Sequence, residues 1–321
     1  MKYVNYPFED IKRLSFYLAT EEYLALNFPK DEYFFMWQVK PSVIFGRNQL
    51  IENEVNLPYV RENNIMMYRR KSGGGCVYSD FSNIMFSFIT PNFNKDFVFD
   101  NYLGKVVNVL KSLGLNAEFS GRNDILIDGM KVSGNAFYKV KDRSIVHGTM
   151  LFATDFSVMA QAITPVTAKL ESKGIDSVRK RVTNLSDHLT IDIETFKSYM
   201  KQHLVDEQIT LSTEDIVKIE EIEKEYLTEE FVFGKNPGYS VIKQGYVKAG
   251  YLEFRIELKN NKVKKINLMG DYFLLGDQDY LLHKFHHVQF TKEAFSKVLS
   301  TIKLSDFVMS LTEEDFLKIL F

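Results

Sequence analysis

The stretch RRKSGGGCVYSD, residues 69–80, places three consecutive glycines behind two arginines and a lysine. Glycine inside regular structure costs roughly 0.5–1 kcal/mol relative to alanine, so local stability does not explain the run. A backbone without Cβ atoms can approach a ligand closely, and its N–H groups can converge on anionic oxygens. Arg69, Arg70 and Lys71 would add charge-assisted donors for a carboxylate or phosphate. Taken alone, the stretch is equally compatible with a turn between strands that carries solvated charges.

The glycine stretch matches neither of two common phosphate-binding signatures. The chain contains no G-x-x-x-x-G-K-[ST] segment, and no third glycine completes a G-x-G-x-x-G pattern. The sequence therefore argues against a P-loop nucleotide-binding fold and a Rossmann fold.

Composition limits the remaining classes. The chain has 321 residues, 45% of them apolar, and is long enough for two domains. Its net charge of -2 argues against nucleic-acid binding through a broad basic face. The single cysteine, Cys76, excludes an intramolecular disulfide and suits a reducing compartment. The N-terminal residues do not resemble a signal peptide, and no run of about 18 apolar residues occurs. We therefore expect a soluble, cytoplasmic protein without a membrane span.

Hydrophobic periodicity predicts an α+β fold, because strand-like segments follow one another and helical segments stand apart. Aromatic and β-branched runs predict strands at residues 33–39, 42–46, 64–70, 82–90, 115–120, 123–139 and 144–154. Helical spacing predicts helices at residues 9–27, 99–113, 213–226, 291–303 and 312–320.

Turn-forming residues mark a boundary towards the C-terminus. Three glycines and a proline in FVFGKNPGYSVIKQG (231–245) predict a linker over residues 235–245. The linker would separate a domain of residues 1–234 from a smaller domain of residues 246–321. The smaller domain begins with two alternating strands around an Asn260–Asn261 turn.

A second candidate region is SGRNDILIDGMKVSGNAFYK, residues 120–139. Lys131 lies in a strand-like segment between Gly129 and Gly134, where it is either a solvated edge residue or a fixed charge facing a pocket. Asn123 and Asp124 open the same hairpin and either bind a ligand or start a turn.

Histidines supply a third candidate. His147, in VHGTMLF (146–152), ends a strand. It either donates to an anion or is a structural histidine with its hydrogen bonds satisfied inside the protein. His283, His286 and His287 have the i, i+3, i+4 spacing that can seat a metal on a helix. No carboxylate pattern accompanies them, so a solvated surface is the preferred interpretation.

Together these segments, with AKLESKGIDSVRKRVTNL (168–185), resemble lipoate–protein ligase A in their order, their spacing and their residues. The likeness extends from about residue 10 to 190 and continues more loosely into a C-terminal domain of the family's accessory type. It implies a mixed or antiparallel sheet of the biotin/lipoate ligase type, followed by a small α+β accessory domain.

The resemblance also implies site residues. Lys131 matches the lysine that contacts both the acyl carboxylate and the nucleotide phosphate and acts in catalysis. Residues that match the family's site for ATP and the lipoyl adenylate are Arg70, Ser72, Gly73, Gly74, Gly75, Cys76, Val77, Tyr78, Asn83, Asn123, Asp124, His147 and Thr149. Lys173, Gly174 and the segment to Arg181 match its adenylate-facing loop, whereas metal ligands stay unassigned.

The reaction implied is ATP-dependent activation of free lipoate to lipoyl-AMP, followed by transfer to a protein lysine. ATP and Mg²⁺ would be co-substrate and ion, with no permanently bound cofactor, no nucleic acid and no membrane. The acceptors implied are lipoyl domains of 2-oxoacid dehydrogenase E2 subunits and the glycine-cleavage H protein. Cationic side chains and backbone N–H groups would offset the repulsion between two anionic reactants.

Three alternatives remain open. An octanoyl or lipoyl transferase would need an activated thiolate near Lys131. Cys76 is the only cysteine, and the hairpin segment NDILIDG before Lys131 has none, which favours an inert thiol. Biotin–protein ligase is a relative with a different glycine loop, and a non-catalytic lipoate-binding protein could retain the same pocket.

Overall fold

The computed structural model forms two compact units, and it contains no helix among the described residues that is long and apolar enough to cross a membrane. The structure describes residues 1–49, 51–91, 95–120, 123–163, 181–233, 241–259 and 262–321. The N-terminal unit comprises Met1–Ile44, Glu52–Arg69 and Cys76–Val232. The C-terminal unit comprises Phe45–Ile51, Arg70–Gly75 and Phe233–Phe321.

Strands and helices are numbered in chain order. The strands are β1 Lys2–Asn5, β2 Tyr33–Trp37, β3 Ser42–Phe45, β4 Met66–Arg69, β5 Val77–Ser79, β6 Asn83–Thr90, β7 Ala117–Phe119, β8 Asp124–Ile127, β9 Met130–Val140, β10 Arg143–Leu151, β11 Glu207–Thr210, β12 Val241–Val247, β13 Gly250–Lys259 and β14 Lys262–Tyr272. The helices are α1 Leu14–Asn27, α2 Ile51–Glu54, α3 Leu57–Glu62, α4 Lys95–Ser112, α5 Phe156–Ala162, α6 Ile193–Leu204, α7 Thr213–Tyr226, α8 Glu229–Phe233, α9 Gln278–His283, α10 Lys292–Leu299 and α11 Glu313–Leu320.

An eight-stranded sheet dominates the N-terminal unit, with strand order β11-β1-β2-β6-β10-β9-β8-β7. β1 runs parallel to β2 and β11, whereas the pairs from β2 through β6, β10, β9 and β8 to β7 are antiparallel. The sheet is therefore mixed, which confirms the predicted α+β class. A second sheet has the order β4-β3-β5.

Helices cover both faces of the large sheet. Successive side chains of a strand point to opposite faces, so neighbouring residues of one strand join different cores. Phe34 of β2 belongs to a core cluster with residues of α4 and α6, such as Tyr102 and Phe196. Its neighbour Phe35 belongs to a separate cluster with residues of α1 and α7, including Tyr226. α1 begins at Leu14, later than the predicted residue 9, and Ile11 is exposed.

The C-terminal unit is an antiparallel meander of β12, β13 and β14 whose core cluster also includes residues of α9, α10 and α11. Of the predicted linker, residues 241–245 belong to strand β12, and residues 235–240 lie outside the described residues. The two strands predicted here are confirmed, although their Asn260–Asn261 connection is also outside the described residues.

α7 matches its predicted bounds, and its N-terminus is closed by a reciprocal pair of hydrogen bonds. Ser212 Oγ accepts from the Asp215 N–H at 3.1 Å, and the Asp215 carboxylate accepts from the Ser212 N–H at 2.7 Å. Such a capping box satisfies backbone donors that have no partner inside the helix.

Replacing the cap serine should weaken the packing of α7. We expect Ser212→Ala to lower the free energy of unfolding by about 1 kcal/mol, because alanine offers no acceptor to the first turn. Denaturant unfolding followed by circular dichroism measures the change. The control Thr213→Ala, at the next exposed position, should stay within about 0.5 kcal/mol. Equal losses in both variants would contradict the capping role.

Candidate functional site

Cross-strand register places several predicted site residues on one face of the large sheet. One row of directly paired residues crosses five strands and consists of Trp37, Met85, Thr149, Gly134 and Asp124. Side chains of paired residues in adjacent strands lie on the same face. Thr149 and Asp124, which are far apart in sequence, therefore flank Gly134 in space.

The next row on this face contains Phe35, Ser87, His147 and Ala136. His147 is two residues before Thr149 on β10, so both side chains point the same way. The sheet thus brings His147, Thr149 and Asp124 together on the face covered by α1.

Lys131 joins this face through an irregularity in the pairing of β8 with β9. The register shifts between Ile125 and Leu126, so Leu126 pairs with Lys131. The Lys131 ammonium nitrogen lies 2.9 Å from Asp124 Oδ1, and the two side chains are 38% and 28% exposed. Asp124 Oδ1 is itself buried and has no hydrogen-bond partner within the described ranges. The distance defines an ion pair, but its angles do not make a directed hydrogen bond.

The backbone of Lys131 is held on its other side by residues 181–183. The Lys131 N–H donates to the Arg181 carbonyl at 2.8 Å, and the Lys131 carbonyl accepts from the Thr183 N–H at 2.9 Å. The end of the predicted adenylate-facing loop therefore contacts the lysine strand directly. Lys173 and Gly174 of that loop lie outside the described residues.

His147 is bound to a buried carboxylate. Its Nδ1 lies 2.8 and 3.0 Å from the two oxygens of Glu21, which is completely buried on α1. Ser87 Oγ donates to Glu21 at 2.5 Å, and the Tyr138 hydroxyl donates to it at 3.2 Å. Burial raises the pKa of Tyr138 well above its ordinary value, so the phenol stays protonated and donates. Because the carboxylate accepts at Nδ1, the ring orientation of His147 is fixed.

Sequence reasoning missed Glu21, although a signal for it exists. Every residue from Leu14 to Glu21 is buried, so α1 offers no solvent-facing stripe over this length. A carboxylate at a fully covered position requires partners, because burying an unpaired charge is costly. An acidic residue within an otherwise apolar helical face is the pattern that would have identified it.

Two predicted asparagines brace the strands around the site. Asn123 Nδ2 donates to the Asn135 carbonyl at 3.0 Å, and the Asn135 N–H and Nδ2 each donate to the Asn123 carbonyl at 3.0 Å. Asn83 is completely buried, donates to the Tyr78 carbonyl at 3.4 Å and accepts from the Thr154 hydroxyl. Both asparagines therefore fix backbone positions beside the sheet face.

The three predicted residues that come directly after the glycines in the sequence belong to the N-terminal unit. Cys76 is partly exposed, and Val77 pairs with Ile44 across β3 and β5. The Tyr78 hydroxyl donates to Asp80 at 3.0 Å. Burial, together with the Asp80 charge, raises the pKa of Tyr78, so its phenol remains a donor at neutral pH.

The glycine turn itself belongs to the C-terminal unit, and Arg70 holds it. Arg70 Nη2 donates to the carbonyls of Gly73 and Gly75, both at 2.7 Å, and Nε donates to Ser72 Oγ at 3.0 Å. Arg70 is buried, as is Arg69, which donates to a backbone carbonyl at 2.9 Å. The two arginines are therefore structural donors to the backbone, and not solvated charges.

The glycines of the turn lie against the end of β14, where backbone angle and space limit which residues fit. Gly74 has a φ of 87°, and its N–H donates to the Tyr272 carbonyl at 3.0 Å. A Cβ atom at Gly73 would overlap the Tyr272 carbonyl oxygen, and one at Gly75 would lie 3.1 Å from Asp271 Oδ2. Close approach to the backbone of β14 thus accounts for glycine at position 73, and the positive φ favours it at position 74.

The turn retains backbone donors. For the N–H groups of Gly73 and Gly75, the described part of the chain provides no hydrogen-bond partner. Their carbonyls are bound to Arg70. Unpaired N–H groups in a turn are suited to an anion.

The three C-terminal histidines do not share a helix. α9 ends at His283, and His287 has a φ of 64°. Partial burial and the neighbouring histidines lower the pKa of His286. Across the described ranges, no group of three His, Cys, Asp or Glu side chains could hold a metal ion.

Removing the Glu21 carboxylate should lower the free energy of unfolding more than removing the carboxylate of the adjacent Glu22. Glu21→Ala leaves His147, Ser87 and Tyr138 without this acceptor, and each unsatisfied buried group costs about 1–3 kcal/mol. We expect a loss of about 3 kcal/mol or more in denaturant unfolding. Glu22→Ala removes the acceptor of the 3.0 Å bond from the Tyr226 hydroxyl, and we expect it to lower the free energy of unfolding by about 1 kcal/mol. Equal losses would contradict a shared role of Glu21.

Comparisons with known proteins agree with this architecture. Residues 14–205 match the model of the lipoyl protein ligase A/B catalytic domain, and residues 236–320 match that of the bacterial lipoate protein ligase C-terminus. Lipoate–protein ligase 1 of Staphylococcus aureus is 38% identical over 288 residues, which cover 85% of this chain and 88% of that protein. Lipoate-protein ligase LplJ of Bacillus subtilis is 34% identical over 316 residues, covering 95% and 96%.

Solved structures give the same picture. LipL1 of P. falciparum, in complex with lipoate, has a TM-score of 0.77 and covers 99% of this chain and 97% of its own, but its 24% identity shows the fold alone. The bi-partite lipoate protein ligase of Thermoplasma acidophilum, studied with its E2 lipoyl domain, has a TM-score of 0.66 at 27% identity, covering 75% of this chain and 98% of that one. A lipoate-protein ligase A bound with ATP has a TM-score of 0.63 at 26% identity and covers 73% and 98%. Because family models match both the catalytic and the C-terminal parts, and relatives above 30% identity extend over most of its length, the chain belongs to the lipoate–protein ligase family and is a ligase.

Proposed function

We propose that this ligase activates free lipoate with ATP and transfers the lipoyl group to a specific lysine of an acceptor protein. The observation that carries the proposal is the partly exposed side chain of Lys131, which lies on the same sheet face as His147 and Thr149. Relatives named as lipoate–protein ligases support the substrate, and the neighbour bound with ATP supports the nucleotide.

In the first step a lipoate carboxylate oxygen attacks the α-phosphorus of ATP. A new P–O bond forms, the bond to the β-phosphate oxygen breaks, and pyrophosphate leaves with the electron pair. Both reactants are anionic, so a cation between them lowers the barrier by stabilising charge on the phosphoryl oxygens. Lys131 is the residue proposed for this role.

The glycine turn remains part of the proposal as an anion-binding element. Its contribution is the pair of N–H groups at Gly73 and Gly75, whose carbonyls Arg70 holds. Arg70 acts in this proposal through the turn it braces. The same applies to Asn123, which holds the start of β8 against β9, and to Asn83, which binds the Tyr78 carbonyl and the Thr154 hydroxyl.

Mg²⁺ enters the proposal together with ATP. Magnesium in nucleotide-dependent enzymes is bound largely by phosphate oxygens, with one or two carboxylates and waters completing the octahedron. It would neutralise charge on the departing pyrophosphate. Its protein ligands remain unassigned.

In the second step the acceptor lysine amine attacks the carbonyl carbon of lipoyl-AMP. A C–N bond forms, the C–O bond to phosphate breaks, AMP leaves, and the amine loses a proton. The acceptors proposed are E2 lipoyl domains and the glycine-cleavage H protein, and the Thermoplasma ligase studied with its E2 lipoyl domain supports the first of these. A cytoplasmic location and a domain boundary at residues 235–245 complete the proposal.

The direct test is intact mass spectrometry of a purified lipoyl domain after incubation with this protein, lipoate and MgATP. A mass gain of one lipoyl group in the complete mixture, absent when ATP is omitted, is expected. A gain without ATP, or no gain with any lipoyl domain or H protein offered, would overturn the proposal.

Lys131→Ala should lose adenylation without unfolding. We expect lipoate-dependent pyrophosphate release to fall at least about 100-fold, because a preorganised charge at the transition state is removed. Lys139→Ala, at an exposed position on the same strand, is the matched control and should retain activity. Unchanged release in Lys131→Ala, with unchanged thermal unfolding in both variants, would exclude the assigned role.

Cys76→Ala separates the ligase from a thioester transferase. An adenylate route needs no protein nucleophile, so the variant should transfer lipoate with MgATP within about threefold of the wild-type rate. A transferase route through Cys76 would lose transfer completely. The same mass-spectrometric measurement distinguishes these outcomes.

A further inference from the structure

The side chain of Lys131 lies along the sheet, directly over Gly134. A Cβ atom built at Gly134 would be 2.8 Å from the Lys131 ammonium nitrogen and 2.9 Å from its Cε. Non-bonded carbon atoms prefer separations of about 3.5–4.0 Å, so a side chain at position 134 would require the end of the lysine side chain to shift from this position.

Backbone conformation does not explain the glycine. Gly134 is not among the glycines with positive φ, so its conformation is open to any L residue. A glycine inside a strand weakens the strand and often marks close approach of another group. At Gly134 the group that approaches is the lysine ammonium.

The neighbours of Gly134 in its row complete a slot for this ammonium group. Asp124 pairs with Gly134 from β8, and Thr149 pairs with it from β10. Asp124 Oδ1 lies 2.9 Å from the ammonium nitrogen and 3.7 Å from the position of the missing Cβ atom. The ammonium slot is therefore bounded by Asp124 and Thr149, with Gly134 as its floor.

We propose that Gly134 and Asp124 are positioning residues for Lys131. The missing side chain at Gly134 gives the ammonium group its place on the sheet, and the Asp124 carboxylate holds it there until an anionic ligand replaces the carboxylate. The identity of that anion, a lipoate carboxylate or an adenylate phosphate, rests on the proposed function. The positioning itself does not.

The ion pair is suited to such an exchange. Both side chains are partly exposed, and partly exposed ion pairs contribute little to stability, so a competing anion can replace Asp124 at low cost. Hydrogen bonds to Arg181 and Thr183 hold both the N–H and the carbonyl of the lysine backbone. Only the side chain then has to move.

The first test uses the ligand-free protein and needs neither lipoate nor ATP. Lysines are acetylated briefly with an N-hydroxysuccinimide ester, and peptide mass spectrometry gives the ratio of labelling at Lys131 to that at Lys139. We expect this ratio to rise at least threefold in Gly134→Ala, because the new Cβ atom displaces the amine from Asp124. Asp124→Asn, which keeps the backbone and side-chain volume, should raise it similarly because the ionic partner is lost.

The control is Gly104→Ala on α4, where a Cβ atom would meet nothing within 4 Å. Its labelling ratio should equal that of the wild type. A ratio unchanged in both Gly134→Ala and Asp124→Asn, with normal thermal unfolding, would overturn the proposal.

The second test measures steady-state pyrophosphate release. We expect Gly134→Ala to lower kcat at least tenfold while the KM for lipoate changes less than threefold, and Gly104→Ala to stay within twofold of the wild type. A merely structural role would lower thermal stability and leave the labelling ratio and kcat unchanged. If the labelling ratio rises as expected but wild-type protein releases no pyrophosphate with lipoate, the positioning stands and the proposed function fails.

Discussion

The pairing register of β6, β10, β9 and β8 is the constraint on which the site depends. Side chains alternate between the two faces of a strand, so a slip of one residue in any pair would move that strand's site residues to the opposite face. Asp124 lies on β8, whereas Thr149 and His147 lie on β10, and this register places all three on the same sheet face as Lys131. Burial enforces it, because both faces carry packed cores and a slip would exchange polar residues for apolar ones.

The two units hold their functional elements in different ways. In the N-terminal unit a buried carboxylate, Glu21, accepts from three side chains and fixes His147 from α1, the helix that covers this sheet face. In the C-terminal unit the buried Arg70 side chain donates to the carbonyls of Gly73 and Gly75, and the Tyr272 carbonyl accepts from the Gly74 N–H. A buried side-chain acceptor therefore organises one element, and a buried side-chain donor organises the other.

The sequence predicted those elements whose structure depends mainly on neighbouring residues. The span of α7, the hairpin containing Lys131 and the antiparallel strands of the C-terminal unit followed from periodicity and turn residues. β1 and β11 were missed because each has four residues and forms only by parallel pairing with a distant partner. The partners of Arg70 and Glu21 are likewise set by tertiary contacts, so composition and spacing do not reveal them.

The bond between the Gly74 N–H and the Tyr272 carbonyl joins an early part of the chain to a late one. During synthesis, N-terminal segments emerge and fold first. The strands that carry Lys131, Asp124 and His147 are complete well before residue 272 leaves the ribosome. The glycine turn lacks its β14 partner until then. The nascent chain can therefore form the sheet face that carries Lys131 first, and it completes the glycine turn only near the end of translation.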